Sequence, residues 1–292
     1  MLATSAVCCR EHTYRQLTIK GSDTEVNLVV ALAEAYMERD SQVSISVTGG
    51  GSGAGIAALI NGKTDIANAS RAMDPAELAL ASARGVRPVP LILALDAIAV
   101  VVQADLAVDS LTLAQLSGLY RGTVRNWRSV GGPDLPVSLY GRQSNSGTFA
   151  YFRDSVIRGE YAPSLKQLNG SAQLVEALRK DRAGVGYVGA GYVRQADGTV
   201  RQGVKVLKII VLEGRPAEAT LSPEAVYGGA YPLVRPLYQY VDGPPKGALL
   251  AFLRFCQGEE GRRLITESGY FPVPAAAEDW SPPPTTWVDD AK

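Results

Sequence analysis

Residues 91–102 read LILALDAIAVVV, and the architecture of the chain turns on how that run is understood. It is the longest apolar stretch, and Asp96 interrupts it. A membrane span needs roughly 18 apolar residues or more, so the run is too short to cross a bilayer. It reads instead as buried strand, broken around Asp96 and long enough to carry the chain from one lobe to another.

Working outward, strand and helix patterns alternate, which specifies an α/β protein. Upstream, Leu17–Ile19 reads as a short strand, and Val26, Val29, Val30, Ala33, Tyr36 and Met37 follow at helical spacing. Val43–Val47 alternates as a half-buried strand. Ile56, Leu59 and Ile60 mark a short helix stopped by Gly62. Asp74-Pro75 opens another helix, with Asp as cap and Pro in the first turn. Downstream come a helix near Thr112–Tyr120, a strand at Val137–Tyr140, helices after Ser146 and at Ala172–Lys180, and a strand at Val185–Val188. Tyr231-Pro232-Leu233 begins an extended return, and helices near Gly247–Cys256 and Glu259–Ser268 finish the pattern. The expected lobes are therefore 17–94 with 232–274, and 95–231. Residues 1–16 read as a leader remnant or flexible segment, and 275–292 as a flexible Pro-rich tail. A ligand would lie between the lobes.

The 292 residues are 46% hydrophobic and 20% charged, which suits a folded globular chain. Lys plus Arg equals Asp plus Glu at 29 each, which argues against a nucleic-acid binder. A small anion remains open, because it needs a local cluster of donors rather than a global field. The opening MLATSAVCC is too short for a secretory signal, but small residues before a cysteine resemble the end of a lipoprotein signal. That makes Cys8 or Cys9 a candidate lipidation site; an arbitrary start is the alternative. Cys256 sits among apolar residues of a helix and reads as core. The three cysteines make neither a disulfide framework nor a zinc site. With one histidine, His12, and scattered carboxylates, no metal site, catalytic base or cofactor is expected. Gly62-Lys63-Thr64 lacks the first glycine of a phosphate loop, since position 57 is Ala. Asn169-Gly170-Ser171 reads as a helix cap.

Three Gly/Ser/Thr clusters each precede a helix: Gly21-Ser22-Asp23-Thr24, Gly49-Gly50-Gly51-Ser52-Gly53 and Ser144-Asn145-Ser146-Gly147-Thr148. Each brings free N–H groups and hydroxyls to a helix start, where an anion is welcome. Any one cluster is better explained by capping and turns. Three together, with Arg142 beside the third, favour an oxyanion, because a guanidinium offers a fork of donors.

In order along the chain, these clusters resemble the phosphate-binding PstS family. The matching segments are 21–24, Thr48–Gly55, Asp65–Arg71, Tyr120-Arg121-Gly122 with Asn126-Trp127 and Gly131-Gly132, Arg142–Phe149, Tyr231–Tyr238 and Gly269–Val273. The resemblance covers about Leu17 to Pro274. It implies a type II periplasmic-binding-protein fold, with two α/β lobes and two crossover strands. It also implies phosphate contacts from Ser22, Thr24, Ser52, Gly53, Ser70, Arg71, Arg142, Ser146, Gly147 and Thr148.

Two positions depart from the family pattern. Some members carry an aspartate at the position of Arg71, where it accepts the proton of hydrogen phosphate, and some carry an acid at the position of Ser144. Both changes make the expected pocket more positive. Asp23 is the carboxylate candidate for the proton acceptor and Asn68 a neutral one; Asp23 could instead cap the first helix. The expectation is an extracytoplasmic, non-enzymatic phosphate carrier, periplasmic or lipid-anchored. Its partners are inorganic phosphate and the membrane permease subunits of an ABC importer, and a monomer suits that task. The alternatives are another tetrahedral oxyanion (sulfate, molybdate or tungstate), a phosphate-ester hydrolase, or a scaffold reused for adhesion or signalling.

Overall fold

The computed structural model describes residues 15–195, 197–212, 215–216 and 222–274. Cys8, Cys9, His12 and the tail from 275 onward lie outside them.

The chain opens with strand β1 (Arg15–Gly21), in which Leu17 and Ile19 point inward, and helix α1 (Val26–Arg39), which buries Leu28, Val29, Leu32, Ala33 and Tyr36. Next come β2 (Val43–Thr48), α2 (Ser52–Ile60) and β3 (Ile66–Ala69). Both β2 and β3 lie parallel to β1, one on each side. Helix α3 (Pro75–Ala83) starts with a complete capping box between Asp74 and Glu77, as the Asp-Pro signal predicts.

The run 91–102 lies in a 16-residue strand, β4 (Pro88–Gln103). Beyond it come β5 (Ser110–Thr112), α4 (Leu113–Arg121), β6 (Ser138–Arg142), α5 (Gly147–Phe152), β7 (Lys166–Leu168), α6 (Ser171–Lys180) and β8 (Gly184–Gly189). Then follow β9 (Val204–Val206), β10 (Lys208–Leu212), β11 (Arg215–Pro216) and α7 (Pro223–Tyr227). The chain returns through β12 (Val234–Asp242) to α8 (Gly247–Gln257) and α9 (Glu259–Glu267).

Strand β4 belongs to two sheets at once. Its first part, Pro88–Ala97, pairs antiparallel with β12; its last part, Ile98–Val102, pairs antiparallel with β8. The path across the molecule is β2-β1-β3-β12-β4-β8-β6-β7, with β9 also on β4. This is the expected two-lobed α/β fold, with β4 and β12 as the crossing strands. One apolar cluster gathers residues from Leu95 to Val234 with Phe271, and another packs α1, α8 and α9 on β1–β3. In the latter, Tyr36 stands 5.5 Å from Phe252 and 5.4 Å from Phe255, ring to ring. Cys256 is fully buried there, and burial pushes its thiol far up, as a core residue requires. The family-like aromatics Tyr120, Trp127 and Tyr231 are core as well. Each turns its polar tip to a backbone carbonyl, Trp127 to Ala183 at 3.0 Å and Tyr120 to Tyr140 at 3.1 Å. Among the described residues no helix is long and apolar enough to cross a membrane.

Candidate functional site

Strands β1 and β3 run parallel in one lobe and β6 runs parallel to β8 in the other, and the loops after β1, β3 and β6 meet across the cleft. Gly21, with φ of 144°, lets the first loop turn there: a Cβ would stand 2.1 Å from the carbonyl oxygen of Asn68. The loop then places Ser22 and Thr24 inward, both buried. Neither hydroxyl caps α1. The cap position is Glu25, without a side-chain cap bond, and α2 is likewise preceded by Gly51 with none. The hydroxyls of the first two clusters are therefore not spent on helix ends.

They meet one another instead. Ser22 donates to the Ser70 hydroxyl at 3.0 Å, Ser52 and Ser70 share a bond of 3.3 Å, and the Ser70 amide donates to Ser52 at 3.0 Å. Facing this trio is Gly147, in the first turn of α5. A Cβ at Gly147 would lie 2.4 Å from Ser52 Oγ and 2.7 Å from Ser70 Oγ. Thr24 and Thr148 bond across the cleft at 2.8 Å. Ser146 does cap its helix, accepting from the Thr148 amide at 3.2 Å. Gly53 donates to the carbonyl of Asn145 at 3.0 Å, and the Asn145 amide returns a bond to Gly50 at 2.9 Å. Donors from both lobes thus converge within a few ångströms.

Arg142 is buried and rigidly held. It donates to Asp23 at 2.6 Å, to Ser171 at 2.8 Å and to the Asn169 carbonyl at 2.7 Å. The Asn169–Ser171 stretch, expected to cap a helix, is a clamp on this guanidinium: α6 has Gly170 at its cap, with no side-chain cap bond. Asp23 also accepts from the Gly50 amide at 3.0 Å. So Asp23 neither caps α1 nor stands free as a proton acceptor; it is the counter-ion of Arg142.

Arg71 stands apart from the hydroxyl trio. Its guanidinium makes two bonds of 2.7 Å to Glu77 and one to the Ala72 carbonyl. It lines a groove of about 560 Å³ together with Ser70, Tyr151, Arg153, Arg235 and Tyr238. The positive charge expected from Arg71 is offset by the Glu77 carboxylate it faces, and that of Arg142 by Asp23. A larger groove of about 770 Å³ lies on α1, α8 and α9, where Arg39, Arg254, Glu259 and Arg263 mix signs without converging donors.

Sequence reasoning missed the floor of the site. Arg235, on β12, donates to Asp96 at 2.9 and 3.1 Å, to Thr148 at 2.9 Å, to Thr24 at 3.3 Å and to the Ser70 carbonyl at 2.9 Å. Asp96, the residue that breaks the apolar run, also accepts from the Ala190 amide at 3.0 Å. Burial raises its carboxyl, against the pull of Arg235. This pair joins both crossing strands to threonines of both lobes. The one available signal was a charge inside an otherwise apolar strand, which demands a partner.

Comparison with known proteins agrees with this geometry. Residues 10–260 match the family model of the PBP superfamily domain. The phosphate-binding protein PstS of Pseudomonas aeruginosa is 31% identical over 277 residues, covering 89% of this chain and 83% of that protein. A putative phosphate ABC transporter substrate-binding protein from Clostridium perfringens, solved with bound phosphate, superposes with a TM-score of 0.78. It is 25% identical and covers 89% of this chain and all of its own. An ABC-type phosphate transport receptor from Vibrio cholerae gives a TM-score of 0.68 at 27% identity, covering 87% and 99%. The chain belongs to the PstS-like solute-binding proteins of the PBP superfamily.

Proposed function

We propose that this chain captures inorganic phosphate between its two lobes and hands it to the membrane permease of an ABC importer. The observation that carries this reading is the convergence, from both sides of the cleft, of Ser22, Thr24, Ser52 and Ser70 with Arg142 and the start of α5 at Ser146–Thr148. Hydroxyls and amides at helix starts suit a tetrahedral oxyanion, and a fully paired guanidinium keeps its geometry while the ligand enters. The related proteins named for phosphate support the choice of ligand. Gly53 and Gly147 belong to the site for their close backbone approach, Asp23 for orienting Arg142. Arg71 lines the groove with its guanidinium held by Glu77, and we assign it no direct bond to the ligand.

The lobes 17–94 with 232–274, and 95–231, act as two bodies hinged at β4 and β12. Binding closes them, and the closed form docks on the permease. We read the protein as a carrier, in line with its relatives named as phosphate-binding proteins. It works outside the cytoplasmic membrane as a monomer, either free in the periplasm or anchored to lipid through Cys8 or Cys9. Titration calorimetry of phosphate-stripped protein tests the ligand. Tight one-to-one phosphate heats with a weak sulfate response are expected. Equal sulfate affinity would replace the ligand, and silence from both would leave a scaffold put to another use.

A further inference from the structure

Glu25 is a carboxylate beside the site that makes no ion pair among the described residues. It precedes α1, is fully buried, and neither of its carboxyl oxygens has a hydrogen-bond partner among the described residues. An isolated buried carboxylate is very costly, so such groups pair, or take up a proton. The buried cations among the described residues are Arg142 and Arg235. Both are committed, Arg142 to Asp23 at 2.6 Å and Arg235 to Asp96 at 2.9 Å. Two positive and two negative charges already balance before any anion arrives. An ionised Glu25 would add a third negative charge next to the place where the ligand's own charge must sit.

The ionisable groups around Glu25 are Arg235 from β12, Asp96 from β4 and Tyr270 from the segment after α9. Tyr270 gives its own hydroxyl proton to the Thr24 carbonyl. The Ser22 hydroxyl lies on the flank of Glu25 and is the same group that donates to Ser70 in the hydroxyl trio. Burial pushes the Glu25 carboxyl well above the usual range, outweighing the opposing pull of Arg235 and Ser22, while Asp96 adds to the rise.

We propose that Glu25 is carried as a neutral carboxylic acid behind Ser22, and that its ionisation at higher pH is what weakens oxyanion binding. The proposal rests on the oxyanion reading of the site and names the group that sets its pH dependence. A neutral Glu25 has one O–H to give and leaves Ser22 free to donate forward. An ionised Glu25 draws the Ser22 proton back toward itself and repels the ligand. Glu25 acts through Ser22 and through charge, so it is a positioning residue.

The test compares wild type with Glu25→Gln, which keeps size and polarity but cannot ionise. Inorganic phosphate is titrated into each phosphate-stripped protein between pH 5.5 and 9.5. Phosphate's own ionisation affects both proteins equally and cancels in the ratio of their dissociation constants. The ratio of wild type to Glu25→Gln should be near one at the acid end. It should climb to roughly ten- to fiftyfold at the alkaline end, the size expected for two like charges several ångströms apart at an effective dielectric near 20. Phosphate binding with a flat ratio overturns the role of Glu25 alone; no phosphate binding by either protein at any pH overturns the ligand reading and this one together. A second measurement needs no folded variant: the infrared spectrum of wild type at neutral pH, with glutamate carboxyl carbons isotopically labelled. A carbonyl stretch of a protonated glutamic acid is expected. Only carboxylate bands would refute the proposal.

Discussion

A single methyl group at Gly147 tests the two-lobe cage at its tightest point. In Gly147→Ala the new Cβ would stand 2.4 Å from Ser52 Oγ, 2.7 Å from Ser70 Oγ and 3.0 Å from the Ser70 carbonyl carbon. The facing surfaces must give by about 1 Å to reach ordinary contact. Gly147 does not have a left-handed backbone, so alanine suits its position in α5 and the strain falls on the cleft alone. A retreat of that size takes the cross-cleft bonds Thr24–Thr148 at 2.8 Å and Gly53–Asn145 at 3.0 Å past useful length. A closed cage that loses two donors to a charged ligand, at about 1.5–3 kcal/mol each, loses about 3–6 kcal/mol. That is roughly a hundredfold to ten-thousandfold in affinity. Calorimetric titration of phosphate reads the loss, and the melting temperature of the ligand-free protein, expected to change little, shows that the fold is intact. An affinity within threefold of wild type would show that Ser52, Ser70 and the start of α5 do not close on a common ligand.

Other perturbations address the scaffold beneath the cage. Asp96→Asn leaves Arg235 buried without its counter-ion, and breaking such a pair costs about 3–5 kcal/mol, so the urea midpoint should fall clearly; an unchanged midpoint would deny the pair its role. Glu25→Gln should alter stability as well as binding, with a definite sign. The folded-state pKa of Glu25 lies above its ordinary value of 4.5, so the folded protein holds the proton more tightly than the unfolded one. That contribution is whole below the ordinary value and is lost as pH rises toward the folded one. Denaturation curves of wild type and Glu25→Gln should coincide near pH 4, with the variant increasingly the more stable toward pH 8; parallel curves would contradict this. In a variant with Cys8 and Cys9 changed to Ser, Cys256 should resist a thiol reagent until the protein unfolds, because it is buried and its thiol is held protonated. Prompt labelling of the native protein would mean that the core around α8 opens far more readily than its packing implies.

What could be read without a structure was local. Hydrophobic period marked α1, α6, α8 and α9, the Asp74-Pro75 signal marked α3, and the apolar run 91–102 marked the crossing strand. Each of these is a statement about neighbours in sequence. The donor clusters were legible for the same reason, since a helix start and its hydroxyls lie within a few residues of each other. Strands β5 and β7 escaped because runs of three residues carry no period, and Asn169–Ser171 was taken for a cap because a cap is what such residues most often make.

Two of the counter-ions were not local and could not be read from sequence order, whereas Glu77, the partner of Arg71, lies only six residues on. Arg142 meets Asp23 across 119 residues of chain, and Arg235 meets Asp96 across 139. In the fold each of these two arginines is paired with a carboxylate. The consequence runs against the intuition that an anion site must be positively charged. On the proposed reading, the ligand's charge would fall on hydroxyls, amides and helix starts, with the ion pairs as supports. On that reading an added negative charge opposes the ligand, so the state of a single proton on Glu25 should govern affinity.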